Sequence, residues 1–178
     1  MNIRKATLDD ATAMCNILNY YIEKTVIAHE IEPISEIASK QRISDIIGSG
    51  YLLFIGEIDG KVIGFCCTQP WNKGIVYETT AEESIFLDKD ETGKGYGTLL
   101  LEHLLNHVDK TKIHILNATI SLPNESSVRL HEKFGFKQVS QMKEIGRKFD
   151  QWLDVGCWQL ILNSTEKNNP QKMLTLQF

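Results

Sequence analysis

One turn limits the folds open to this chain. Gly93-Lys94-Gly95-Tyr96-Gly97-Thr98 lies between an apolar strand, Ile85-Phe86-Leu87, and a leucine-rich helix running to Val108. Three glycines at alternate positions let the backbone take positive φ and approach a ligand with no Cβ in the way. The first N–H groups of the helix have no partner within it. Those donors and the positive end of the helix dipole suit an anion, above all a phosphate or pyrophosphate. Lys94 adds a cation. Taken alone, the same turn also serves as a tight connection with no ligand.

Two phosphate motifs are poor fits. A Walker loop requires four residues between its first glycine and Gly-Lys-Ser/Thr, and that spacing is absent. A dinucleotide fingerprint requires G-x-G-x-x-G and an acid about 20 residues on. Here the glycines run G-x-G-x-G, and the region near Asn117 holds no acid.

The rest of the chain reads as alternating helices and strands. Ile3 to Ala6 is a short strand, and Thr7 or Asp9 caps a helix with Ala13, Ile17, Leu18 and Tyr21 on one stripe. Tyr20 and Tyr21 are read first as packing residues. Pro33 opens a second helix with Ile34, Ile37, Ala38, Ile43, Ile46 and Ile47 at helical spacing, ended by Gly48-Ser49-Gly50. Tyr51–Ile58 and Lys61–Gln69 are strands joined at Asp59-Gly60, a strong hairpin signal. Pro70 stops the pairing, and a loop leads to the strand holding Glu82. Leu100, Leu101, Leu104, Leu105 and Val108 form the buried stripe of the glycine-loop helix. Lys112–Ser121 is a strand, a short helix runs from Asn124 to Gly135-Phe136, and strands follow near 136–145 and 152–162. Residues 1–162 read as one domain, and 163–178 as a polar tail whose Met173–Phe178 end is apolar enough to dock.

Charge and cysteine content exclude several function classes. A net charge of −4 argues against a nucleic-acid partner, which wants a basic face. No apolar run is long enough for a bilayer, and the first residues lack a signal-peptide core. Cys15, Cys66, Cys67 and Cys157 form no C-x-x-C pair, so they read as reduced structural thiols of a cytoplasmic protein. Adjacent Cys66 and Cys67 face opposite sides of their strand. His103 and His107 stand one helical turn apart but have no third ligand at matching spacing, so no metal is expected.

The glycine turn resembles the coenzyme A pyrophosphate loop of the GNAT N-acetyltransferase superfamily, Q/R-x-x-G-x-G/A, with Gly95 and Gly97 at the small positions and Thr92 at the Gln/Arg position. Downstream, Asn124, Ser127, Leu130, His131, Gly135 and Phe136 resemble that superfamily's N-x-x-A-x-x-L-Y-x-x-x-G-F block. Two motifs in the right order are far more specific than one. Tyr77, Thr80-Ala81-Glu82, Ser84 and Ile85-Phe86-Leu87 are similar to the Y-x-x-T-x-E-x-S-V-Y-V segment of phosphinothricin and methionine sulfoximine N-acetyltransferases. Leu130-His131-Glu132 and the run Gly146, Lys148, Trp152, Asp154, Val155 fit the same subfamily.

The resemblance implies an α+β fold: a mixed, mostly antiparallel twisted sheet flanked by helices, with a splayed central strand pair forming the coenzyme groove. It implies acetyl-CoA as cosubstrate and a small-molecule amine as acceptor. It places Glu82 as general base and His131 where the superfamily often has an acidic tyrosine. Ile85, Phe86, Leu87, the Gly93–Thr98 loop and Asn124 would bind the coenzyme, and the Leu87 N–H would polarise the thioester. Tyr20, Tyr21 and the Thr25–Ile31 loop would border the acceptor, and a homodimer is expected. The subfamily's arginine before the Tyr77 position is missing here. Lys73 is the nearby cation, so Lys73 and Tyr77 are the expected acceptor contacts, with Lys148 as another source of charge. That departure points away from phosphinothricin itself. A polyamine or peptide-amine acetyltransferase is the alternative enzyme, and a catalytically silent acyl-CoA sensor the alternative outside catalysis.

Overall fold

The computed structural model describes residues 1–162. The tail from residue 163, including the docking segment expected at Met173–Phe178, lies outside the described residues. Seven strands form one sheet: β1 (Asn2–Lys5), β2 (Leu53–Ile58), β3 (Lys61–Pro70), β4 (Thr80–Leu87), β5 (Ile115–Leu122), β6 (Lys137–Lys148) and β7 (Gln151–Ile161). Their order is β1-β2-β3-β4-β5-β7-β6. Every neighbouring pair is antiparallel except β4 and β5. Four helices flank it: α1 (Ala11–Lys24), α2 (Glu36–Gly48), α3 (Tyr96–His107) and α4 (Glu125–Lys133). This is the expected mixed, mostly antiparallel sheet.

The exceptional pair positions the site. β4 and β5 match only at Thr80–Ile115, Ala81–Leu116 and Glu82–Asn117. Beyond Glu82, β4 pairs only with β3, and beyond Asn117, β5 pairs only with β7. The strands therefore fork at Glu82. The ladder fixes which amides face the fork. Asp88 donates to the Ile63 carbonyl across β3, at 2.8 Å. Antiparallel hydrogen-bonded pairs alternate. The odd-numbered residues of β4, Ile85 and Leu87 among them, thus turn their N–H groups away from β3 and into the fork.

Side-chain alternation splits the core between the two faces. On one face α1 and α2 bury Leu18, Ile22, Ile43 and Ile46 against Phe65 and Cys67. On the other, Leu100, Leu101 and Leu104 of α3 pack on Phe54 and Cys66. Full burial of each such side chain contributes about 1.5–3 kcal/mol. Burial pushes the Cys67 thiol up to about 12 and Cys66 well above the ordinary thiol value, so both are inert packing groups.

Three expectations are corrected. The second helix begins at Glu36, not Pro33, because Ser35 is extended and its hydroxyl accepts the Ala38 N–H as an N-cap. Its buried stripe is Ser39, Ile43 and Ile46, whereas Ile37, Ala38 and Ile47 are exposed. Pro70 does not stop the pairing: β3 continues through it, opposite Ala81. Pro70 falls at a non-hydrogen-bonded position of the ladder, so its missing N–H costs β4 nothing.

Candidate active site

The glycine turn sits at the open end of the fork. Gly93 and Gly95 have φ of +74° and +87°, in the left-handed region that favours glycine. Gly95 caps α3 without any side-chain hydrogen bond, so the first amides of α3 stay open to a ligand. Lys94 is turned to Glu91, with Nζ 3.0 Å from the carboxylate, and is exposed. Thr92, Gly93, Gly95, Gly97 and Thr98 line a groove of about 420 Å³ together with Ile85, Phe86, Leu87, Asn124 and His131. Lys94 and Tyr96 do not line it. A Cβ on Gly95 would meet nothing within 4 Å in this structure, so the open space there is available to a bound group. Replacing Gly95 by Ala should therefore cost only backbone strain, about 1–2 kcal/mol. Calorimetry should show Tm lowered by about 2–8 °C, with weaker binding of acetyl-CoA in titration.

Asn124 belongs to the groove but has a second task. Its Oδ1 accepts the Ser127 N–H at 3.2 Å and caps α4. Its amide nitrogen has no hydrogen bond among the described residues and is free to donate. At the fork, the Tyr21 hydroxyl donates to the Leu87 carbonyl at 2.8 Å. Burial pushes that phenol up to about 12, so it remains a neutral donor. It secures Leu87 by its carbonyl and leaves the Leu87 N–H for the groove.

Glu82 stands where the strands part, on the α1–α2 face. One carboxylate oxygen accepts from the Thr119 hydroxyl of β5, and the other from Gln69 of β3, at 3.1 Å. Two neighbours fix both oxygens, and neither carries a charge. Glu82 lines a second cavity of about 320 Å³ beneath α1 and α2, with His29, Glu30, Arg42, Gln69 and Thr119. Ile27, Ser84, Phe86 and Thr119 line both spaces, so groove and cavity meet at the fork.

Glu83 points to the other face, as strand alternation requires. Its Oε1 contacts Nε2 of His131, and both residues are buried. The other ring nitrogen, Nδ1, lies 2.7 Å from the Ser127 carbonyl. That oxygen only accepts, so Nδ1 carries hydrogen, and a further proton is shared between Nε2 and the carboxyl. Burial disfavours the imidazolium, yet the Glu83 carboxylate outweighs it and raises the His131 pKa. Glu83 Oε2 is buried without a hydrogen-bond partner.

The expected acceptor contacts are not brought to this centre. Lys73 is exposed in the loop after β3, and Tyr77 packs edge-on against Trp71 at 5.2 Å. Neither lines the groove or the cavity. Lys148 is buried, with its Nζ on the Ala28 carbonyl at 2.9 Å, and burial lowers its pKa. It holds the Thr25–Ile31 loop rather than facing the cavity. The Thr25–Ile31 loop does line the cavity, through Ile27, Ala28, His29 and Glu30, whereas Gln69 and Thr119, which hold Glu82, and Arg42 of α2, which lines the same cavity, carry no spacing that sequence reasoning could link. His103 and His107 stack on each other at 4.1 Å beside Phe54.

Residues 16–136 match the model of the acetyltransferase (GNAT) family. The chain belongs to the GNAT acetyltransferase family. Members of this family use acetyl-CoA. The chain is 33% identical over 162 residues to the phosphinothricin N-acetyltransferase of Streptomyces viridochromogenes, covering 89% of this chain and 86% of that one. It is 30% identical to the L-methionine sulfoximine/L-methionine sulfone acetyltransferase of Pseudomonas paraeruginosa, covering 92% and 96%. The crystal structure of a GNAT phosphinothricin acetyltransferase from Sinorhizobium meliloti, in complex with acetyl-CoA, superposes with a TM-score of 0.89. It is 29% identical and covers 94% of this chain and 91% of that one.

Proposed function

We propose that this GNAT protein is an acetyl-CoA-dependent N-acetyltransferase of a small amino acid or amino-acid analogue, with Glu82 as general base. The observation that carries the reading is the placing of Glu82: an oriented carboxylate where the groove opens into a small cavity. An amine arrives mainly as its ammonium and must lose a proton before it attacks. Glu82 takes that proton directly or through a water. Acetyl-CoA supplies the activated acetyl group as a thioester. The amides at the start of α3 hold its pyrophosphate, and Asn124 donates to its pantetheine arm. The Leu87 N–H, turned into the fork, stabilises the carbonyl oxygen as it gains charge. His131 lines the groove, and it would give a proton to the departing sulfur only by releasing its contact with Glu83 or with the Ser127 carbonyl.

The cavity size supports a small acceptor over a peptide amine. At about 320 Å³ it lies at the lower end of ligand pockets. Homodimer formation in the cytoplasm belongs to the same reading. Exposed Val139, Met142 and Ile145 on β6, with Phe149 and Trp152 on the hairpin to β7, offer an apolar surface for a second copy. Among the described residues, no helix is long and apolar enough to cross a membrane.

The test is release of free thiol from acetyl-CoA with a panel of amines: phosphinothricin, methionine sulfoximine, common amino acids and polyamines. Turnover with amino acids or their analogues is the expected result. Turnover with polyamines alone would leave the transfer chemistry standing but replace the acceptor. Tight binding of acetyl-CoA with no acetylated amine would favour a sensor.

A further inference from the structure

The cavity beside Glu82 contains a cation that no motif announced. Arg42 projects from α2 into the space that Glu82 lines from β4. One of its N–H groups donates to Glu30 at 2.8 Å. It makes no other hydrogen bond among the described residues, although a guanidinium carries five donors. Its four other N–H groups have no protein partner among the described residues. Glu30 is partly buried, and its own backbone amide and Arg42 hold its carboxylate below the usual range against the effect of burial. The Arg42–Glu30 pair thus stays charged and fixes the direction of the guanidinium.

The loop carrying Glu30 is itself anchored. Lys148 donates to the Ala28 carbonyl at 2.9 Å, and His29 Nε2 lies 3.0 Å from the Ser121 hydroxyl. These contacts hold in place a loop that lines the cavity together with Arg42. The charged and titratable groups lining the space are Arg42, Glu30, Glu82 and His29. Glu30 is already neutralised by Arg42. An acceptor thus meets one carboxylate without an ionic partner, Glu82, and one guanidinium with donors to spare. A polyamine would use the first and be repelled by the second. A zwitterion uses both.

We propose that Arg42 is the anchor for the acceptor's carboxylate, holding an amino acid so that its amine lies at Glu82. The proposal rests on the reading of Glu82 as the reacting end of the acceptor site. A forked guanidinium binds a planar carboxylate through two parallel hydrogen bonds. That geometry sets the orientation of the acceptor as well as its affinity. Selectivity for a free α-carboxylate therefore comes from α2, not from Lys73 in the loop after β3.

The probes are L-methionine and L-methioninamide, which differ only in the carboxylate. Acetylation by wild type, Arg42→Met and Glu30→Gln is followed together with calorimetric binding of L-methionine. Wild type should prefer the acid. Arg42→Met should raise KM for L-methionine by about 10–100-fold, the loss expected for charged hydrogen bonds, and raise KM for the amide far less, so that the acid-to-amide preference collapses. Glu30→Gln removes the charge but keeps a side-chain oxygen to accept the Arg42 N–H, so the guanidinium stays aimed and the preference should be retained. An acid-to-amide ratio unchanged in Arg42→Met would overturn the proposal. So would equal loss in Glu30→Gln, which would reduce Arg42 to a structural partner. If neither probe turns over, the acetyl-transfer reading fails for these acceptors, and calorimetry still decides: binding of L-methionine lost only in Arg42→Met supports the anchor, and binding absent in wild type or unchanged in Arg42→Met rejects it.

Discussion

Glu82→Gln is expected to lower kcat for acetyl transfer by about 10²–10⁴-fold, the range that general bases supply, and to leave acetyl-CoA affinity unchanged. The substitution preserves shape. Thr119 and Gln69 hold the two Glu82 oxygens. A hydroxyl can reverse its role, and an amide can turn over, so both can accommodate a neutral side chain. The lost property is proton acceptance. The defect should therefore shrink as pH rises towards the acceptor's own amine value, because solvent then delivers the free amine. A pH profile of kcat/KM for both proteins checks this. A loss below tenfold, equal at all pH values, would remove Glu82 as base. Altered acetyl-CoA binding with intact kcat would reassign it to the groove.

Local rules reached the half of this site that lies along continuous stretches. The glycine turn, the strand before it and the Asn124 cap each announce themselves by residue type and neighbours. The structure brings Gly93, Gly95, Gly97, Thr98, Ile85, Phe86, Leu87, Asn124 and His131 to one groove. Strand alternation alone separated Glu82 from Glu83 and Cys66 from Cys67. The cavity beside Glu82 was legible only in part: the resemblance brought in the Thr25–Ile31 loop, which lines it, but no local rule singled out the residues opposite. Gln69, Thr119 and Arg42 share one cavity with Glu82 only because β3, β5 and α2 are brought together by the fold. Arg42 is one charge in an isoleucine-rich helix, and the spacing of those isoleucines does not by itself select the buried stripe, Ser39, Ile43 and Ile46. Ile37 and Ile47 have helical spacing yet face outward, since the small buried Ser39 takes the contact point and donates to the Ala11 carbonyl at 2.9 Å. Composition cannot show which of several apolar stripes a helix will bury.

The largest stability effect is expected at the buried pair on the other face of β4. His131→Leu leaves the Glu83 carboxylate buried with no counter-charge and no donor. Breaking such a pair costs about 3–5 kcal/mol, a fall in Tm of about 10 °C for a chain of this size. The double variant Glu83→Leu/His131→Leu removes both charges and should recover most of that loss, because apolar residues of similar volume often replace a buried pair without penalty. The coupling has a direction in pH. Glu83 raises the His131 pKa against the effect of burial. The pair's contribution is thus fully present below the ordinary imidazole value, about 6.5, and is lost as pH rises through the higher folded value. Relative to the double variant, the wild type should accordingly be most stable on the acid side and lose ground towards pH 9. Thermal unfolding of the four proteins at pH 6 and pH 9 measures the cycle. A double variant as unstable as His131→Leu would show that packing around the ring, not its charge, holds α4 against β4. Retained stability in His131→Leu would show that Glu83 finds its proton or its partner elsewhere.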